Sequence, residues 1–195
     1  FEVNNNLFST GVGTPFDLNK PFILVSQHPV TTEFGDGENQ INATLEAVKK
    51  LNIPAIVLWP NSDAGADDIS RGIRKWREKK QDKNMYFFKN LPIEDYILLM
   101  KKTVCLVGNS SSGIREGAFM GTPVVNIGSR QSARDRGKNV LDVSYSSEEI
   151  FKAISFQIKR GRYEMEPIYG DGNAGKKIAD ILYKEEVNIQ KQITY

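Results

Sequence analysis

The sequence predicts an α/β domain in which a mostly parallel sheet of about six strands lies between layers of helices. Three observations lead there. Short apolar, β-branched runs alternate along the chain with amphipathic stretches of about 10 to 15 residues, the pattern of right-handed βαβ units. The strand-like runs are continuously apolar, as in FILVS (22–26) and AIVLW (55–59), which suits a sheet covered on both faces. Each run ends in a polar loop, and TVCLVGNSSSGIREGAFMGTPVVNI (103–127) contains strand, loop, short helix and strand in one stretch.

Residues 1–20, with Asn4-Asn5-Asn6 and Gly11-Val12-Gly13, have little periodicity and read as a linker or lead-in from a missing N-terminal domain; 21–195 is the domain proper. Pro21 precedes the first strand, which runs out into Gln27-His28-Pro29-Val30-Thr31-Thr32-Glu33. From Glu38 to Leu51, Ile41, Leu45, Val48 and Leu51 recur at helical spacing. Pro54 leads into the second strand and Pro60-Asn61-Ser62-Asp63-Ala64-Gly65 forms its loop. A helix follows over 67–80 with Ile69, Ile73 and Trp76 inward. Met85–Phe88 is a third strand, and Pro92 opens a helix reaching Lys101.

The fourth strand, 103–107, breaks at Gly108-Asn109-Ser110-Ser111-Ser112-Gly113 into a short helix expected to turn Ile114, Ala118 and Phe119 to one face. Strands follow at 123–127 and 139–143. Ser146-Ser147-Glu148-Glu149 caps a helix running to Lys159, and a glycine-rich turn at 170–174 precedes a last helix over 175–185.

In such a sheet the carboxyl-end loops share one rim, here carrying His28, Asn61, Asp63, Asn90, the serine cluster and Arg130. A polar loop on a helix N-terminus favours an anion, and the serines add hydroxyl donors. Neither GxGxxG nor GxxxxGK[ST] is present, and a serine-rich N-cap with no further role fits the same spacing. His28, the sole histidine, reads either as incidental or as a donor, acid or base at a strand end. Glu116 reads as a dipole-favourable residue or as an acceptor for a vicinal diol, and Arg130 as a surface cation or a diphosphate clamp. Arg71, Arg74, Lys75, Arg77, Lys79 and Lys80 form a basic helix, read as a solvated face or an anion-binding surface.

A chain of 195 residues with 39% apolar content buries one core, and a formal charge of +2 gives no case for nucleic acid. Cys105, the only cysteine, reads as a small core residue. It leaves no disulfide framework or zinc spacing, so a reducing, cytoplasmic setting is expected. No run approaches the length of about 18 apolar residues that a membrane span needs, and no signal peptide is visible. Beginning at Phe1, the chain is expected to be a fragment.

VGNSSSGIREGAFMGTPVVNIGSRQSARDRGKNVLDV (107–143) closely resembles the signature of the hydrolysing UDP-N-acetylglucosamine 2-epimerases, including the epimerase half of the bifunctional enzyme that starts animal sialic acid synthesis. SQHPVTTE (26–33), WPNSDAG (59–65), LPIEDY (91–96) and IYGDGNA (168–174) match the same family in the same order, between Phe22 and Leu182. The resemblance implies a Rossmann-like, three-layer αβα fold, the second domain of a B-type glycosyltransferase-like pair with the nucleotide sugar in the cleft. It implies that Ser110 and Ser111 hold the diphosphate, Glu116 the ribose hydroxyls and Arg130 the phosphates. His28 then contacts the nucleotide and assists the chemistry, and the backbone around Leu91 reads the uracil.

The implied reaction eliminates UDP through a glycal and adds water to give N-acetylmannosamine, with no metal or redox cofactor. The implied partners are UDP, UDP-N-acetylhexosamine, the missing first domain that carries the sugar-handling carboxylates, and a homo-oligomer in the full-length enzyme. Alone, the fragment is expected to bind nucleotide weakly and turn nothing over. Arg71 and Arg74 match arginines of the animal enzyme's feedback site for a CMP-linked end product. A non-hydrolysing epimerase, a B-type glycosyltransferase donor domain and a stand-alone nucleotide-sugar sensor are the competing readings. Transfer to an acceptor rather than water separates the glycosyltransferase; an absent upstream domain separates the sensor.

Overall fold

In a computed structural model, residues 7–79 and 83–185 are described; Asn4-Asn5-Asn6 of the expected lead-in and Lys80 of the basic helix lie outside them. The strands are β1 (Val12–Gly13), β2 (Ile23–Ser26), β3 (Ala55–Leu58), β4 (Met85–Phe88), β5 (Cys105–Gly108), β6 (Val124–Ile127) and β7 (Val140–Val143). The helices are α1 (Gly37–Lys50), α2 (Ala66–Glu78), α3 (Ile93–Lys102), α4 (Ser111–Ile114), α5 (Glu116–Met120), α6 (Ser147–Arg160) and α7 (Ala174–Lys184). They form one sheet in the order β1-β4-β3-β2-β5-β6-β7. β2 to β7 are parallel, with Ile23 paired to Ala55 on one side and to Cys105 on the other. Leaving out β1, the parallel strands lie in the order third, second, first, fourth, fifth, sixth, the doubly wound Rossmann arrangement.

Continuous apolar strands give each face of the sheet its own core. Ile23, Val25, Val57 and Val107 point to a layer with Ile41 and Leu45 of α1, Ile69 and Ile73 of α2, and Ile150 and Ile154 of α6. The alternate residues Phe22, Leu24, Ile56 and Leu106 pack the opposite side with Leu99 and Met100 of α3. Cys105 is fully buried, as a core cysteine should be, and burial drives its thiol pKa far upward. The start of α6 is capped as the sequence suggests: Ser146 Oγ accepts from the Glu149 N–H at 3.4 Å, while the Glu149 carboxylate reaches back to Ser144. α7 is exposed along its length, with Ile178, Ile181 and Leu182 on the surface.

Two expectations are corrected. Residues 7–18 are not a bare lead-in: Val12 pairs antiparallel with Phe87, Leu7 is buried, and Phe8 packs edge-on against Tyr86 with centroids 4.6 Å apart. The missed signal is a scattered set of Leu7, Phe8, Phe16 and Leu18 that covers the second core without any helical or strand period. Phe119 does not share the buried face of Ile114 and Ala118 and is 42% exposed. Within α5, Phe119 lies about 100° around the helix from the buried Ala118, so it turns away from the sheet.

The switch point falls between β2 and β5, where the chain departs in opposite directions from neighbouring strands. Gly108 ends β5 there with φ of +134°, and a Cβ at this position would collide with the Ser26 carbonyl of β2. Gly108→Ala is therefore expected to cost at least about 2 kcal/mol, read as a lowered urea midpoint at unchanged slope.

Candidate functional site

The loops after β2 and β5 leave the switch point side by side, and Asn109 joins them. Its side chain accepts from the His28 N–H at 2.7 Å and donates to the His28 carbonyl at 2.9 Å. Its own N–H donates to the Ser26 carbonyl at 3.1 Å. The Asn109 carbonyl receives Arg130 Nη1 at 3.2 Å and Gln131 Nε2 at 2.8 Å, so the loop after β6 is fixed to the same residue. Asn109 is 0% exposed, and its side-chain amide satisfies both main-chain groups of the partly buried His28.

The His28 ring is defined by its neighbours. Nδ1 accepts from the backbone N–H of Asn61 at 3.2 Å, which requires a lone pair there and leaves the neutral ring's proton on Nε2. Nε2 lies 3.3 Å from Ser26 Oγ. Burial first, and the nearby Arg130 charge second, hold the pKa below its ordinary 6.5, against opposing contributions from Asn61 and Asp63. The ring therefore presents a neutral N–H donor near neutral pH. Arg130 Nη2 meets Asp63 at 3.1 Å, and Asp63 also takes the Asn61 side chain at 2.8 Å.

The serine loop supplies a chain of hydroxyls. Ser110 caps α4, accepting from the Ser112 N–H at 3.4 Å, and its Oγ lies 2.8 Å from Ser112 Oγ, which lies 2.5 Å from the Tyr96 hydroxyl. Ser111 opens α4, partly exposed. A cavity of about 300 Å³ is lined by Ser26, His28, Trp59, Asn61, Asn90, Leu91, Tyr96 and Ser110. The Leu91 N–H is held by Asn90 Oδ1 at 3.0 Å.

The rim thus gathers His28, Leu91, Ser110, Ser111 and Arg130. Glu116 lies a turn further along and faces a second, larger cavity of about 770 Å³ with Ile97, Phe119, Met120 and Tyr169. Arg71 and Arg74 line neither: Arg71 pairs with Asp68 at 3.1 Å on the seam between α1 and α2, and Arg74 is exposed. Asn109 and Tyr96 were not singled out by sequence reading; Asn109 is visible only as part of a polar loop, because its partner is 81 residues away. Among the described residues, no three His, Cys, Asp or Glu side chains are grouped to hold a metal, and no helix is long and apolar enough to cross a membrane.

Fold and rim together define a doubly wound α/β domain with an anion-competent switch point, held by histidine, serine hydroxyls and arginine. Residues 3–183 match the family model for UDP-N-acetylglucosamine 2-epimerase, and the chain belongs to that family. It is 30% identical over 167 residues to a Legionella pneumophila protein named UDP-N,N'-diacetylbacillosamine 2-epimerase (hydrolyzing), covering 86% of this chain and 44% of that one. It is 29% identical over 169 residues to a Neisseria meningitidis UDP-N-acetylglucosamine 2-epimerase, covering 85% and 44%. The fold matches the crystal structure of the Neisseria meningitidis UDP-GlcNAc 2-epimerase bound to UDP-GlcNAc with a TM-score of 0.66 at 18% identity, over 87% of this chain and 46% of that one. The chain therefore spans less than half the length of these relatives.

Because His28 is the sole histidine, its ring C–H resonance reports the site directly. It is expected to titrate below 6.5, and Arg130→Ala, which removes a repelling charge, to raise the midpoint. The unfolded chain takes up this proton first, so His28 costs stability as pH falls below about 6.5.

Proposed function

We propose that this chain is the nucleotide-binding half of a hydrolysing UDP-N-acetylglucosamine 2-epimerase. The observation that carries the reading is the convergence of His28, Ser110 and Arg130 at the switch point, all positioned through or beside Asn109. The hydrolysing subtype is supported by the Legionella pneumophila relative, whose name carries that activity. A first domain as partner is supported by the chain's share of its relatives and by the exposed apolar residues of α7.

In this reading UDP-N-acetylglucosamine loses its C2 proton to a carboxylate of the first domain. The C–H pair forms the C1–C2 double bond, and the C1–O bond breaks with its electrons passing to UDP. Water oxygen then bonds to C1 and a proton returns to C2 from the opposite face, giving N-acetylmannosamine. Negative charge accumulates on the departing diphosphate, and this domain acts on that charge. Arg130 supplies a guanidinium, His28 its Nε2–H, and Ser110 and Ser111 hydroxyl donors. His28 acts by donation and charge stabilisation, because Nδ1 is occupied and Nε2 already carries a proton. The nucleoside runs from the Leu91 backbone across the first turn of α4, its ribose hydroxyls reaching Glu116 beside the larger cavity. In this reading the sugar's base belongs to the first domain, so the half-site binds without turning over. A cytoplasmic setting and a homo-oligomer of the longer chain complete the proposal.

Calorimetric titration tests it. UDP is expected to bind in the micromolar to millimolar range, more tightly than GDP or CMP. The Glu116→Ala, Arg130→Ala double variant is expected to weaken UDP by more than about tenfold, the scale of a lost charge-assisted contact. Equal affinity for the three nucleotides, or an unaffected double variant, would overturn the assignment.

A further inference from the structure

Glu33 closes the short 3-10 turn Thr31–Glu33 after β2. Its carboxylate gathers three neutral donors from three other parts of the chain. Tyr145 OH, from the loop after β7, donates at 2.8 Å; Gln40 Nε2, from the first turn of α1, donates at 2.7 Å; and Ser129 Oγ, from the loop after β6, makes a short bond. Burial disfavours the charged form, yet the donations from Ser129, Tyr145 and Gln40 outweigh it and hold the carboxyl below its ordinary value.

The segment that this carboxylate grips is the one that carries Arg130. Gly128 has φ of +74° and its N–H donates to the Val143 carbonyl at 2.9 Å, with the Tyr145 hydroxyl lying where a Cβ would project. Ser129 is fixed by Glu33, and Arg130 follows directly, its guanidinium between Asp63 and the Asn109 carbonyl. An arginine on a rim loop loses much of its binding energy if the loop must be ordered at the moment of binding. Here the ordering is done beforehand, by a carboxylate that itself lines neither of the two cavities described.

We propose that Glu33 is a positioning residue that presents Arg130 to the diphosphate by tying the loops after β6 and β7 to α1. The proposal rests on the reading of the rim as a nucleotide diphosphate site. It specifies the consequence: Glu33 governs affinity for the phosphates and leaves the nucleoside end alone.

The test compares UDP with uridine on this chain, following titrations by amide NMR, for wild type, Glu33→Gln, Glu33→Asp and Tyr145→Phe. Glu33→Gln replaces one acceptor oxygen with a donor facing hydroxyl donors. It is expected to weaken UDP about tenfold with uridine unchanged. Tyr145→Phe, which leaves the carboxylate in place, is expected to produce a smaller loss of the same kind, and Glu33→Asp to restore part of the affinity. Unchanged UDP affinity in both Glu33→Gln and Tyr145→Phe overturns the positioning role while leaving the nucleotide site standing. Equal losses for UDP and uridine also overturn it, since they mark general loosening of the domain. A wild-type chain that binds neither ligand overturns the nucleotide reading, and the assignment of Glu33 with it.

Discussion

The rim depends on one buried amide. Asn109 sits where β5 has just ended, fully enclosed, its side-chain amide and N–H engaged by the end of β2 and the loop that follows it and its carbonyl by the loop after β6. Its side chain satisfies both the N–H and the carbonyl of His28, so the loop after β2 has no freedom to slide relative to β5. A buried asparagine with all its bonds made specifies one arrangement, because every alternative leaves a desolvated donor or acceptor unpaired. The consequence is a site whose donors are in place before any ligand arrives, which is the condition for electrostatic stabilisation at little reorganisation cost.

That junction exists because of the strand order. With β2 and β5 adjacent and their following chains diverging, a crevice forms at their carboxyl ends that no side chain of the sheet needs to fill. Gly108 lets the two strands approach closely enough for the Asn109 N–H to reach the Ser26 carbonyl. The separation of the two cores by face supports this geometry. Alternate residues of each strand are locked into opposite helical layers, so a register slip would exchange the two sets and is strongly resisted.

Much of this was legible in the sequence, for physical reasons that differ by element. The central parallel strands announce themselves because burial on both faces demands short, mostly apolar runs, and α1 does so through its apolar period and α6 through its period and its Ser146 cap. The rim followed from those elements, since the carboxyl ends of parallel strands must lie together. The family motifs stand on those same loops. What stayed hidden was non-local or aperiodic. Val12 and Gly13 are too short a strand to carry alternation, and their partner Phe87 lies far along the chain. Glu33 was visible only as the last letter of a motif, because its meaning is set by Ser129 and Tyr145. Phe119 misled because an apolar residue beside Ala118 suits a narrow helical face by composition, while the angle it subtends places it elsewhere.

The basic helix shows how a cationic surface is shaped by the chain's own acids. Lys75 meets Glu38 at 2.7 Å, Arg71 meets Asp68, and the Arg77 guanidinium lies over the Phe87 ring at 5.4 Å. An incoming anion would have to compete with carboxylates already in place for Lys75 and Arg71. Such exposed pairs are individually weak, and salt weakens them further, but they spend the local positive field on the chain's own acids. At the rim the balance is different. Arg130 also faces a carboxylate, Asp63, but it does so next to the His28 ring and the Ser110 hydroxyl, where several donors converge. Among the described residues the rim thus sets a guanidinium, an imidazole and a hydroxyl close together, whereas the α2 cations Arg71, Lys75 and Arg77 are met by carboxylates and an aromatic ring. The two surfaces therefore differ in what surrounds their cations as well as in how many cations they carry.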